Sequence, residues 1–271
     1  AAPDDPQLVR SLDSLALLQN RDGQGDAASA PIGEAVQLAR RIGLPPPRML
    51  RLMMRAGELH SLRDEVEDAD RALGDAYALS MRINGPRHPT TLSARRMYLR
   101  HLAWTGRTAE AEVLADGLLD DVVAADGGRE PSLVQEARRI VAEFLLARGR
   151  LADAERVLAD ATAAWGPAPE PSFELADHLV NRARTLTMRG RHDEARRDID
   201  AAGAIVRKLG YQAHSMLAVN VLLAQARADI AAGSGTTDEL ALGRALDAYA
   251  GDRGPARMRV IVGGTMAELA V

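Results

Sequence analysis

Cysteine is absent from this chain of 271 residues, which excludes disulfides, thiolate metal ligands, iron–sulfur clusters and cysteine nucleophiles. Aromatic residues are scarce, at 3%, although 46% of the residues are hydrophobic. The apolar content therefore consists mainly of Ala, Leu, Val, Ile and Met. This composition is typical of closely packed helices rather than of sheets, and it predicts an all-α protein.

The sequence also lacks a surplus of basic charge and long apolar runs. Its 34 basic and 38 acidic residues give a net charge of −4, whereas nucleic-acid-binding proteins usually carry a net basic surface. No apolar run approaches the roughly 18 residues that a membrane span needs. We therefore expect no direct contact with nucleic acid and none with a membrane.

No targeting segment is recognisable near the start of the sequence. The first residue is Ala1 rather than Met, and no charged segment followed by an apolar one comes after it. We expect a cytoplasmic protein. We interpret the sequence either as a processed chain or, preferably, as an excerpt of a longer polypeptide whose other domains are candidate partners.

Motifs of catalysis, metal binding and nucleotide binding are missing as well. The histidines form no H-x-H, H-x-x-x-H or H-E-x-x-H pattern, and the single lysine, Lys208, follows no glycine-rich phosphate loop. Ser234 lies outside the five-residue elbow of a serine hydrolase. The loop 20–26 begins like a calcium-binding loop but has Pro31 where the final glutamate is required. We expect no catalytic residue, no metal site, no cofactor and no enzymatic activity.

What the sequence does contain is a repeat of about 40 residues, marked by prolines and glycines. The prolines precede helix-like stretches, where the missing N–H would be unpaired anyway. The glycines separate one apolar-periodic segment from the next, as C′ glycines do in a left-handed cap. The prolines are Pro6, Pro47, Pro89, Pro131 and Pro171, and the glycines are Gly23, Gly106, Gly149, Gly190 and Gly233.

Each repeat predicts two helices joined by a short turn. Residues 133–145 place their apolar side chains at the three- and four-residue spacing of one helical face, Gly149 turns the chain, and a second helix follows to about Trp165. Such pairs stack on their neighbours and form an α-solenoid.

Small residues lie seven positions before and five after the turn position, at Gly57 and Ala69, Ala142 and Ala154, and Ala183 and Ala195. This spacing resembles the tetratricopeptide repeat. The segment 85–92, with Gly85, Pro86 and Pro89, is similar to the inter-repeat motif of the kinesin-light-chain-like subclass.

The resemblance implies one domain over 1–271, a right-handed α-solenoid of about six helix-turn-helix repeats. The repeats are expected at 5–44, 47–86, 89–127, 131–168, 171–210 and 212–250, with a capping helix at 255–271.

Three local features carry their own predictions. Pro31 falls inside the second helix of the first repeat, so we expect that helix to start late. His88, just before Pro89, is interpreted as a helix cap rather than a catalytic residue. The charged segment 63–71 is interpreted as a solvated helix start, and Met53-Met54 as core rather than as a binding surface.

The resemblance also implies a binding surface on the concave side, formed by the first helix of each repeat. Arginines in this surface predict an acidic or C-terminal peptide as ligand, because guanidinium groups bind carboxylates bidentately. Glu58, Glu136, Glu143 and Asp177 share the same face, so internal neutralisation is an equally weighted alternative. The candidate ligand-binding residues are Arg96, Arg100, Trp104, Arg139, Asn181, Arg184 and Arg227.

The function that this resemblance implies is that of a non-catalytic scaffold that binds a protein or peptide. Similar bacterial repeat proteins are the sensor or partner-recognition parts of multidomain regulators. The alternative is a small-molecule or peptide-signal receptor domain that controls a transcription regulator or a signalling ATPase.

Overall fold

The computed structural model describes residues 5–21, 25–127, 131–166, 169–211 and 215–233, together with residues 242, 243 and 265. Every regular element in these ranges is an α-helix, which confirms the predicted all-α class. The chain divides into two compact units, an N-terminal unit of residues 1–127 with 251–257 and a C-terminal unit of residues 128–250 with 258–271.

In the N-terminal unit, α1 packs on α2, α3 on α4, and α5 on α6, and each pair contacts the next. The helices are α1 (Pro6–Arg21), α2 (Gly25–Arg41), α3 (Pro46–Leu62), α4 (Val66–Asn84), α5 (Pro89–Trp104), α6 (Thr108–Ala115) and α7 (Leu118–Asp126).

In the C-terminal unit, α8 packs on α9 and α10 on α11. Helix α10 also contacts α8 and α9, and α12 packs against both α10 and α11. The helices are α8 (Pro131–Ala147), α9 (Leu151–Trp165), α10 (Phe173–Met188), α11 (His192–Lys208) and α12 (Met216–Ala232).

Helix starts and turns lie at or near the predicted prolines and glycines. Pro89 opens α5, and the His88 side chain accepts a hydrogen bond from the Thr90 backbone N–H at 3.2 Å, so the predicted helix cap is confirmed. Gly149 adopts a φ of +69° in the turn after α8, a left-handed conformation that glycine enters without steric cost. Asp64 takes the same role between α3 and α4 with a φ of +59°.

The small residues lie where two helices approach closely. A Cβ added at Gly57 on α3 would lie 2.5 Å from Leu73 Cγ on α4, so no larger residue fits there without a shift. Ala142, Ala154 and Ala195 are completely buried. The core is built from such alanines and from leucines, and Met53 belongs to it as predicted.

Two features differ from the expected pattern. Helix α2 starts at Gly25 and contains Pro31, so the prediction of a late start was wrong. Burial of Ala28, Ile32 and Ala35 along α2 keeps the helix continuous although the proline cannot donate its backbone hydrogen bond.

The second difference is a break in the second helix of the third repeat. Gly117, with a φ of +64°, separates α6 from α7. The Arg95 side chain, on α5, donates from Nε to the Leu114 carbonyl at 2.7 Å and also contacts the Asp116 carbonyl. Its Nη1 lies 3.1 Å from Asp121 Oδ2. One arginine thus satisfies carbonyl groups that the interrupted helix leaves open.

The predicted turn at Gly23, most of the second half of the sixth repeat (212–250) and the cap at 255–271 lie outside the described residues, apart from residues 242, 243 and 265. Among the helices that are described, none combines the length and the apolarity required to cross a bilayer.

Candidate functional site

The C-terminal unit contains a cavity of about 340 Å³ that is lined by α8, the end of α9 and the start of α10. Its walls combine apolar rings with ionisable side chains. The lining residues are Leu133, Gln135, Glu136, Arg139, Trp165, Phe173, Glu174, Asp177 and His178. We call this cavity the α8–α10 pocket.

Aromatic rings form one wall of the α8–α10 pocket. Trp165 and His178 stack with ring centroids 6.0 Å apart and an interplanar angle of 20°. Burial, assisted by the nearby Arg182 and Arg138 guanidinium groups, lowers the pKa of His178 to about 4, so the imidazole is neutral at neutral pH. Phe173 is 44% exposed and lies 6.4 Å from Tyr211 between ring centroids. The pocket therefore has an apolar wall that reaches the surface.

Carboxylates outnumber guanidinium groups on the polar side of the pocket. Arg139 Nε lies 3.3 Å from Asp177 Oδ2, and Arg139 Nη1 lies 2.9 Å from Glu143 Oε1. Burial raises the pKa of Asp177 to about 6 against the opposing effect of Arg139, and the charges of Glu143 and Glu174 add to the rise.

The pKa of Arg139 is raised too: burial alone would lower it, but Glu143, Asp177 and Glu136 outweigh burial. The pKa of Arg139 is therefore raised by neighbouring carboxylates, whereas that of Asp177 is raised mainly by burial.

Three of the predicted site residues gather around Asp177. Arg139 pairs with it directly. Asn181 is buried, and its Nδ2 donates to the Asp177 carbonyl at 3.0 Å. Arg184 Nη1 donates to Asn181 Oδ1 at 3.4 Å. These side chains therefore form one polar cluster on α8 and α10, in which each arginine already contacts another residue of the chain.

The predicted residues of the N-terminal unit form a smaller arrangement. Arg100 Nη2 lies 3.3 Å from Glu58 Oε1, and its guanidinium carbon lies 5.2 Å from the centre of the Trp104 ring. Arg100 thus makes the internal ion pair that was one of the two predicted alternatives.

Arg96 differs from the expectation that it projects into an open groove. It is only 8% exposed, because it shares the buried stripe of α5 with Leu92 and Leu99, each about one helical turn away from it. Arg227, on α12, is partly buried in the C-terminal unit.

Sequence reasoning missed Trp165 because it lies on the second helix of its repeat, and it missed Phe173 and His178 because only a few fixed positions of each first helix were considered. A signal was present, however. The chain has only two Trp and two Phe, and one of each falls within residues 165–173.

Among the described residues, no group of three His, Asp or Glu side chains is arranged to hold a metal ion.

Neither a protein-family model nor a curated protein sequence matches the chain. Solved structures do match. A tetratricopeptide repeat protein from Parabacteroides merdae is 16% identical, with 100% of this chain and 87% of that one covered and a TM-score of 0.66. A kinesin-light-chain structure of nearly identical TPR-like repeats from Podosopora anserina is 19% identical, with 77% and 99% covered and a TM-score of 0.62. A Rap protein complexed with Competence and Sporulation Factor is 10% identical, with 97% and 76% covered and a TM-score of 0.65.

At these identities the likeness shows the fold alone, and that fold is the α-solenoid of tetratricopeptide repeats. The solved structures of this fold include kinesin-light-chain-like repeats, which agrees with the subclass that the segment 85–92 resembles.

Proposed function

We propose that the chain is a non-catalytic scaffold that binds a peptide or protein segment, with the α8–α10 pocket as its main contact site. The observation that carries the proposal is the pocket itself. A cavity of about 340 Å³ with aromatic walls and several ionisable groups opens between the first helices of two successive repeats. In helical repeat proteins this face is the extended binding surface.

The finer setting that we propose is the sensor or partner-recognition part of a cytoplasmic bacterial regulator. The alternative is a receptor domain for a small molecule or a peptide signal. The cavity volume supports this alternative, because small-molecule sites usually occupy about 300–1,000 Å³. The Rap protein of the same fold, complexed with Competence and Sporulation Factor, supports it by analogy.

The acidic or C-terminal character first predicted for the ligand has weaker support. Arg100 and Arg139 each meet a carboxylate of the chain, so an acidic ligand would have to displace Glu58 or Glu143. Such an exchange gains little, because it replaces one ion pair by another.

The proposal is tested by selecting a displayed library of random dodecapeptides on the purified chain and measuring the enriched peptides by calorimetry. Phe173→Ala removes an exposed ring of the pocket, so we expect the dissociation constant to rise about tenfold. Ile83→Ala is the matched control, since Ile83 is 39% exposed at the end of α4. Failure to enrich any peptide would contradict the scaffold function.

A further inference from the structure

We propose that the α8–α10 pocket is a specificity pocket for a basic side chain, an arginine or lysine of the bound peptide. The charged end would lie against Glu136, Glu174 and Asp177, and the methylene stem against Trp165 and Phe173. This proposal rests on the proposed function, because it names the ligand chemistry of the same site.

The charge of the lining is the first argument. Glu136, Glu174 and Asp177 line the pocket together with a single guanidinium, that of Arg139. The Arg139 guanidinium already pairs with both Asp177 and Glu143. The His178 ring is neutral at neutral pH because burial lowers its pKa to about 4. Among the groups that line the pocket, carboxylates therefore outnumber guanidinium groups, and a cation is the complementary ligand.

The aromatic wall is the second argument. A cation is attracted to the face of an aromatic ring, and the effect is strongest for tryptophan. The chain itself provides an example, since Arg100 lies 5.2 Å from the centre of the Trp104 ring beside the Glu58 carboxylate. Trp165 stacks on a neutral His178 ring instead. In the α8–α10 pocket the rings and the carboxylates are present, and the ligand would provide the cation.

Two buried groups supply the third argument. Burial raises the pKa of Asp177 to about 6. The ionised carboxylate therefore destabilises the folded protein, and a bound cation would offset that destabilisation. The Trp165 Nε1–H is buried without a hydrogen-bond partner in the described part of the chain. Buried donors are nearly always paired, and a backbone carbonyl of a bound peptide is a suitable acceptor.

The experiment uses the dodecapeptides enriched on the purified chain. We expect every tight-binding sequence to contain arginine or lysine. Replacing that residue in a synthetic peptide by citrulline, a neutral isostere of arginine, or by norleucine, a neutral analogue of lysine without the ammonium group, should raise the dissociation constant about tenfold. Asp177→Asn should raise the dissociation constant of the charged peptide by a similar factor. It should also reduce the difference in dissociation constant between the charged and neutral peptides.

Asp200→Asn is the matched control, because Asp200 is exposed on α11 and does not line the pocket. Its binding should equal that of the wild type. Thermal unfolding of each variant separates lost binding from lost folding, since Asp177→Asn is expected to melt higher than the wild type.

The outcomes separate the two proposals. Enriched peptides that lack basic residues, or that bind equally well with the neutral isostere, would overturn the basic-residue pocket and leave the scaffold function standing. The same holds if Asp177→Asn discriminates between charged and neutral peptides as well as the wild type does. Enrichment of no peptide at all would overturn the scaffold function, and the pocket proposal with it.

Discussion

The two tryptophans of the chain have contrasting surroundings. In the N-terminal unit, Arg100 lies over Trp104 and pairs with Glu58, so ring, cation and anion all come from the chain. In the C-terminal unit, Trp165 stacks on the neutral His178 beside a cavity of about 340 Å³ with three carboxylates and one guanidinium. The same side-chain chemistry is completed internally in one unit and is left incomplete in the other, and the incomplete arrangement is the better candidate for a ligand.

The sharpest test of this contrast is Asp177→Asn. Because burial raises the pKa of Asp177 from 3.8 to about 6, the folded protein binds the proton more tightly than the unfolded chain. The contribution of Asp177 to the free energy of unfolding is therefore present below about pH 4 and is lost as pH rises to about 6, by up to about 3 kcal/mol. The variant removes that loss, so at pH 7 we expect a higher melting temperature and a flatter profile of stability against pH.

The matched change in the N-terminal unit is Glu58→Gln. The Glu58 side chain is 48% exposed, so its ion pair with Arg100 contributes at most about 1 kcal/mol. Chemical denaturation at pH 7 should show a slight destabilisation. If Asp177→Asn also destabilised the protein, the two carboxylates would be equivalent and the comparison between the units would fail.

The next largest effect is expected from Ala154→Leu on α9. Ala154 is completely buried at the predicted close approach of two helices, so a larger side chain should overpack the contact and cost about 1–3 kcal/mol. Ala152→Leu on the exposed side of the same helix is the control. Urea unfolding curves that coincide for the two variants would contradict the assigned repeat register.

The turns of the two units allow a smaller test. Gly149→Ala places a Cβ in a turn with a φ of +69°, and Asp64→Gly removes one from a turn with a φ of +59°. We expect a loss of about 1 kcal/mol for the first and a gain of less than about 1 kcal/mol for the second, as measured by thermal unfolding. Changes of the same sign would show that backbone strain does not determine these turns.

A small effect on stability is also expected for Arg100→Ala. The variant removes the contact with Trp104 and the pair with Glu58, which together contribute about 1 kcal/mol at a partly exposed position. The change should nevertheless uncover the face of the Trp104 ring that Arg100 covers, and the tryptophan fluorescence spectrum should shift. A melting temperature lowered by more than about 8 °C would mean that the arginine holds the N-terminal unit together.

Much of the fold could be predicted from the sequence because its determinants are local. Pro89, His88 and Gly149 act within one turn of their own position, and small residues such as Ala154 repeat at a fixed distance from the turn. Pro31 misled the prediction because packing along α2 outweighed the local preference of proline. The break at Gly117 was not foreseen, since it depends on Arg95, which lies on another helix.

The candidate site was predicted less completely. Arg139, Asn181 and Arg184 do lie together on α8 and α10, but whether they bind a ligand stays a prediction. The placement of Arg96 differs because its position on α5 is also a core position. The pocket depends on how the end of α9 and the start of α10 meet α8, and no spacing within one helix encodes that angle.

The break beside Arg95 has a consequence for hydrogen exchange. Helix α7 has only nine residues, too few to be stable in isolation. It is held by burial of Leu118 and Val122, by the contact of Arg95 with Asp121, and by the contacts of Arg95 with the segment that precedes the helix. Its backbone amides should therefore open together, as a local unfolding unit distinct from α5 and α6. Arg95 would set the rate at which the backbone amides of that unit exchange with solvent deuterium. The side chain that contacts the open carbonyl groups of the interrupted helix would therefore also define a separate dynamic element within the repeat.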